Sequence, residues 1–283
     1  MPIDEDFDFK TVKEGVSILG EIIKSAGDNP SVKAAGQELG RTALTLTKTI
    51  NNALLPLAAV NFAFGKAHAY FTEKFQSDLA EKAATIPHDQ VIEPKASIAG
   101  PALQGLASAH EEPDLKEMYL NLLACSMDGR VSTSAHPAFV EIIRQLDGEE
   151  AKLIRGCLQT PNGTSITEIR LVDVGKNSWE VLYRHLLHYR DLATKTPKAN
   201  PRLPAFVDNW IRLGLVEVDY TKYVASENAY EWVAQRPEFL KFKAELENMT
   251  QKVEFQQGIL VRTSLGEQFA AVVGIIDRQQ SLA

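Results

Sequence analysis

The interval between apolar residues changes part-way along this chain, and that change limits what it can fold into. Ahead of Pro161-Asn162-Gly163 the interval is mostly three or four, as in Leu115, Met118, Tyr119, Leu122 and Leu123. Beyond it, short stretches alternate instead: Ser165-Ile166-Thr167-Glu168-Ile169, then Leu215-Val216-Glu217-Val218. The first interval lines up one face of a helix, the second one face of a strand. The chain therefore joins a helical part to a part that carries strands.

In the helical part, Val12, Val16, Leu19 and Ile23 share a face. After the break at Gly27-Asp28-Asn29-Pro30, Ser31 caps a helix in which Val32, Leu39 and Leu46 fall seven apart. A third helix is expected from Leu57 to Ala84, with Phe64, Phe71, Phe75 and Leu79 near one stripe. Pro87 and Pro94 bracket a connector, and Ile98, Leu103 and Leu106 mark another amphipathic piece. The clearest helix runs from Asp114 to Met127, with Asp114 and Glu117 as a capping-box-like pair. Asp128-Gly129-Arg130 ends it, and His136-Pro137 opens the next, where His136 can cap and Phe139, Ile142, Ile143 and Leu146 face inward.

Asp147-Gly148-Glu149-Glu150 then caps a helix reaching Leu158. Further helices are expected at 178–189, 204–213 and 264–276, with Gly214 where a helix C′ glycine belongs. Val253 to Phe255 and Ile259 to Val261 flank Gln256-Gln257-Gly258, which reads as a hairpin turn. Helix, short strand, two helices, strand, hairpin strand and helix is the running order of a winged helix. The expected fold is mostly α: an N-terminal helical bundle over 1–145, followed by a winged-helix-like α+β domain over 146–283 with a long wing insertion.

Net charge is −7, from 30 basic and 37 acidic residues, the wrong sign for a nucleic-acid sleeve or a polybasic membrane binder. Two cysteines make no disulfide framework and fit a reducing compartment, so a cytoplasmic address is expected. The acidic start Met1-Pro2-Ile3-Asp4-Glu5-Asp6 lacks the basic region of a secretory signal. The longest apolar run, Ala53 to Phe64, would reach about 18 Å as a helix, against a hydrocarbon core of roughly 30 Å. No stable membrane span is expected. Leu54, Leu55, Leu57, Phe62 and Phe64 are the candidate residues for a membrane or partner surface, though no cationic face accompanies them.

His185 and His188 lie three apart on the helix expected at 178–189, a start toward a metal site that lacks a third ligand. The metalloprotease signature needs a spacing of four and an adjacent glutamate, both missing. Pro113-Asp114-Leu115-Lys116 contains a carboxylate and a lysine of nuclease type, but on a helix start rather than a strand pair. Cys125 and Cys157 have no activating neighbour in sequence and read as buried small hydrophobes. No Gly-rich phosphate cradle is present. Lys195, Lys198 and Arg202, just before the helix at 204–213, and Arg212 inside it are candidate nucleic-acid-binding residues. Against that reading, Phe206, Val207, Asp208 and Trp210 make this helix a packing surface.

Three phrases carry a family likeness: Leu122-Leu123-Ala124-Cys125-Ser126-Met127-Asp128, His136-Pro137-Ala138-Phe139-Val140-Glu141-Ile142-Ile143, and Gln145-Leu146-Asp147-Gly148-Glu149-Glu150-Ala151-Lys152. Together with Trp210-Ile211-Arg212-Leu213-Gly214-Leu215-Val216 and Leu260-Val261-Arg262-Thr263-Ser264-Leu265-Gly266-Glu267-Gln268-Phe269, they resemble the abortive infection alpha (Abi-alpha) family. The resemblance implies a bacterial, cytoplasmic protein of phage defence, in which infected cells stop growing or die. It transfers no catalytic residue. The expectation is a non-enzymatic protein without cofactor or metal, acting through an unidentified protein partner or by self-assembly. A winged-helix nucleic-acid-binding regulator is one alternative; a membrane-perturbing effector using the 44–75 region is the other.

Overall fold

The computed structural model describes residues 61–191 and 194–277. The helices expected at 9–23 and from Ser31 lie outside them. The described residues are α+β, with nine α-helices and a four-stranded antiparallel sheet. They divide into two compact units, one running up to Lys152 and resuming at Ala271, the other Leu153–Ala270.

The first unit is helical. Where one helix is expected from Leu57 to Ala84, the described part holds two, α1 (Asn61–Glu73) and α2 (Phe75–Ala83), with Lys74 at φ −123° between them. Neither glycine nor proline makes this break. The rings of Tyr70, Phe71 and Phe75 gather across it instead, with centroids 5.1 to 6.4 Å apart. α3 (Ala96–Ala109) and α4 (Pro113–Met127) follow. From Met118 to Asp128 only Asn121 escapes burial, so α4 is the axis that α2, α3 and α5 (Pro137–Arg144) surround. Gly105 of α3 lets it approach: a Cβ there would sit 2.3 Å from the Tyr119 hydroxyl oxygen.

The polar residues of this unit shape its helix ends. Pro113 at the first helical position makes Glu112 the cap residue of α4, so the Asp114–Glu117 capping box does not form, and Glu117 pairs with Lys82 at 2.7 Å. His136 does cap α5, its Nδ1 accepting from the Ala138 N–H at 3.1 Å. At the start of α6 (Gly148–Gln159) the Asp147 N–H donates to Glu150 Oε2 at 3.0 Å and the Glu150 N–H to Asp147 Oδ1 at 2.8 Å. That reciprocal pair satisfies two of the N–H groups that a helix start leaves orphaned. Buried Asp128 accepts from the Arg130 guanidinium at 2.9 and 2.7 Å, closing the turn after α4.

The second unit is built on a sheet of order β2-β1-β4-β3, from β1 (Thr164–Asp173), β2 (Trp179–Leu187), β3 (Val216–Asp219) and β4 (Gln251–Arg262). Two expectations need correction. Residues 179–187 form strand β2, not a helix. Its register against β1 slips twice, between Thr167 and Ile169 and between Ile169 and Arg170, so β2 carries bulges. Each extra residue reverses the alternation, leaving the apolar pairs Val181-Leu182 and Leu186-Leu187 at a helix-like interval. Gln256-Gln257-Gly258 is no turn but the middle of β4, paired throughout with β1. Gly258 is needed for close approach, because a Cβ there would meet the Tyr220 ring at 2.5 Å.

Helix α7 (Leu203–Arg212) ends as its sequence predicts. Gly214 has φ +71° and its N–H donates to Ile211 O at 2.9 Å, while the Leu215 N–H donates to Trp210 O at 3.0 Å. This double closure is the Schellman motif, which favours glycine in the left-handed position. One sheet face packs Ile169, Leu186 and Val253 against Tyr230, Trp232, Val233 and Phe239. The last four come from the stretch between β3 and β4, which includes α8 (Pro237–Leu246). α9 (Ser264–Val272) closes the order of elements.

Candidate functional site

The bulge in β2 sets Arg184 and His185 together opposite Glu168 of β1. Glu168 is buried and accepts from Arg170 Nε at 2.7 Å, with Arg184 Nε 3.7 Å from its other oxygen. Arg170 also donates to Gln256 Oε1 at 3.0 Å, and its guanidinium lies 4.9 Å from the Trp179 ring centre. Gln256 in turn donates to Tyr220 O at 3.0 Å. A polar chain thus crosses three strands.

His185 continues that chain. It is buried and holds φ +60°, the left-handed conformation that a bulge of this type normally gives to glycine. Its backbone N–H donates to the Tyr220 hydroxyl oxygen at 3.1 Å, and the same oxygen lies 3.0 Å from its Nδ1. The Asp208 carboxylate can only accept, so Nε2 carries the proton that points to its Oδ1 at 3.2 Å, and in the neutral ring Nδ1 accepts from the Tyr220 O–H. Burial lowers the His185 pKa and Arg184 adds to that, while Asp208 and Glu168 act the other way. Both ring nitrogens are engaged within the fold, so neither offers a lone pair to a metal or a substrate.

His188 goes elsewhere. Its ring stacks on Trp232 at 5.4 Å and 10°, and its Nε2 accepts from Arg190 at 2.7 Å. Among the described residues no three His, Cys, Asp or Glu side chains are grouped to hold a metal ion. Lys116 pairs with Asp78 at 3.0 Å rather than serving Asp114. Cys125 and Cys157 are buried thiols, and burial pushes the Cys157 pKa up to about 12, far from a thiolate nucleophile.

The four basic candidates separate into two places. Lys195 is exposed at φ +57°, Lys198 Nζ lies 3.4 Å from Asp191, and the Arg202 guanidinium sits 4.6 Å from the Phe206 ring centre. Arg212 is at the other end of α7, about 15 Å away by helical rise, and donates to Asn209 Oδ1 at 2.6 Å. Between them α7 buries Leu203, Phe206, Val207 and Trp210. Arg190 and Arg236 belong beside the first group, and no short window of sequence links Arg236 to the Tyr189 carbonyl it binds, 47 residues away. Leu54, Leu55 and Leu57, with the side chains of Phe62 and Phe64, lie outside the described residues. No helix of the described residues is long and apolar enough to cross a membrane.

A cleft of about 440 Å³ runs along β3 at the sheet edge. Ile211, Val218, Ile259 and Val261 make its apolar floor; Glu217, Asp219 and Lys222 line it as well. Ile211 is exposed, at 38%. Asp219 accepts from the Thr221 hydroxyl at 2.6 Å and its N–H at 2.8 Å, and Lys222 stands 3.0 Å away. Those partners hold its carboxyl down to about 2. A second cleft, of about 610 Å³, is lined by neutral groups such as Asn162, Ser165, Tyr223 and Ser226.

These features define an α+β protein with an apolar cleft beside the outer strand of its sheet. The model of the abortive infection alpha family matches residues 67–273, and the chain belongs to that family. No curated protein and no solved structure matches it. Membership points to a role in abortive infection, the response by which phage-infected cells are sacrificed.

Proposed function

We propose that this protein acts in bacterial phage defence without catalysis, by contact with a protein partner or a second copy of itself. The cleft along β3 carries the reading. It has an apolar floor, charged flanking groups and an outer strand beside it, the composition of a protein-binding surface rather than of a reaction centre. The nearby ionisable groups support it, since Asp219 is already committed to Thr221 and Lys222. Buried Cys125 and Cys157, neither of them in a disulfide, agree with a reducing, cytoplasmic setting.

We also read the second unit as a winged-helix derivative. β1, β4 and β3 lie side by side in that order, and α7 leads into β3 through Gly214. The helix that a winged helix places between its first strand and α7 is replaced by β2. The exposed face of α7 carries Ala205, Asp208 and Ile211, with Arg212 as its one cation, which argues against the groove-reading use of Lys195, Lys198, Arg202 and Arg212 as a set. The membrane-perturbing alternative is tested by dye release from liposomes.

The test is Ile211→Asp, a charge placed on the cleft floor at an exposed position. Phage protection is expected to be lost while the circular dichroism spectrum and thermal unfolding stay as in the parent. Undiminished protection by a folded Ile211→Asp protein would overturn the reading.

A further inference from the structure

The chain as a whole is acidic, yet four cations, Arg190, Lys195, Lys198 and Arg202, fall close together in sequence with Asp191 as the one carboxylate among them. The structure makes an element of this stretch. Residues 189–191 and 194–198 pair as two arms: the Lys198 N–H donates to Tyr189 O at 3.3 Å, the Asp191 N–H to Thr196 O at 2.9 Å, and Arg190 lies opposite Pro197. Asp191 is engaged by Lys198 at 3.4 Å and by the Thr194 N–H at 3.0 Å.

The base of these arms is held from inside. Arg236, 0% exposed, donates to Tyr189 O and, at 2.8 Å, to Glu238. Glu238 accepts from the Asn200 N–H at 3.3 Å, and Asn200 O accepts from the Tyr183 hydroxyl at 3.1 Å. Arg236 Nε and Glu238 Oε2 are buried without a partner among the described residues. A buried ion pair with unmet hydrogen bonds is a poor way to gain stability. What this one achieves is to fix where a cationic surface element stands.

Beside the arms is an aromatic platform. Exposed His188 has one ring face on Trp232 and its edge toward Arg190. Partial burial, with Arg190 and Arg236, lowers its pKa, which favours the neutral ring.

We infer that the arms at 189–191 and 194–198 dock the phosphate backbone of a single-stranded nucleic acid, with His188 as the ring on which a base stacks. An acidic peptide would gain from the cations but nothing from the ring, whereas a nucleotide uses both. Duplex reading would need the exposed face of α7 in a groove, and that face carries Asp208 and Ile211 with Arg212 as its one cation.

Fluorescence anisotropy of a labelled oligothymidylate with the full chain at low salt tests this, with poly-glutamate as competitor. The parent binds, and its affinity falls as salt rises. Lys195→Glu and Arg190→Ala weaken binding and flatten the salt dependence; His188→Ala weakens it about tenfold. Lys152→Glu, the same charge change at an exposed site on α6, leaves it unaltered. Circular dichroism confirms that each variant is folded. No binding at low salt, or binding untouched by the Lys195 and Arg190 changes, overturns the proposal. Equal competition by poly-glutamate together with an inert His188→Ala would assign the surface to an acidic protein instead, and overturns it too.

Discussion

The two units use their polar side chains over different distances. In the helical unit the bonds that finish helix ends join near neighbours, His136 with Ala138, Asp147 with Glu150 and Asp128 with Arg130, and the longer reaches, Lys82 to Glu117 and Lys116 to Asp78, are part-exposed ion pairs. In the sheet unit they are far apart along the chain, as in His185 with Asp208 and Tyr220, Arg170 with Gln256, and Arg236 with Tyr189. Short-range bonds finish a helix that its own apolar face already docks. Long-range ones tie together elements far apart in the chain. Loss of a local bond should therefore be modest, and loss of a distant one severe.

That contrast breaks first at Arg236. Arg236→Met removes the bond to the Tyr189 carbonyl, 47 residues away, as well as the cation beside buried Glu238, and should cost about 3–5 kcal/mol in urea unfolding. Arg236→Met combined with Glu238→Leu should recover most of it, and failure to recover would mean that packing, not charge, holds the site. In the helical unit the largest single effect should be steric. Gly105→Ala drives a methyl into Tyr119 and should cost about 1–3 kcal/mol by the same measurement. Asp147→Ala removes half of a capping pair and should cost about 1 kcal/mol. If Asp147→Ala and Arg236→Met cost the same, the division between near and distant partners has no energetic content.

The gentlest effect is a slope with pH. The folded pKa of His185 is lowered, chiefly by burial, so the unfolded chain takes up its proton first. Its contribution is intact above the ordinary histidine value of about 6.5, fades as pH falls from there to the lower folded value, and is flat below. His188 shifts in the same direction. Denaturation midpoints across that window should fall with acidification, and His185→Asn should shallow the slope while His188 supplies the remainder.

The same division decides what could be read from residue order. The buried face of α4, the His136 cap, the Asp147–Glu150 pair and the Gly214 ending depend on residues a few positions apart, and they stand where their spacing puts them. The Asp114 cap failed within that range because Pro113 started α4 one residue earlier. β2 was illegible because its bulges scramble alternation, and the turn at Gln256-Gln257-Gly258 was misread because a glycine can admit a neighbouring ring as well as a bend. The chain from Trp179 to Asp208 left no trace in any short window. Arg190 and Arg236 stayed hidden for the same reason.

The irregular register of β2 also protects the molecule. β2 is a terminal strand of its sheet, and a long straight strand in that place invites a second chain to zip alongside it. Its two slips deny such a chain a continuous row of matching amides, which leaves four-residue β3 as the regular border.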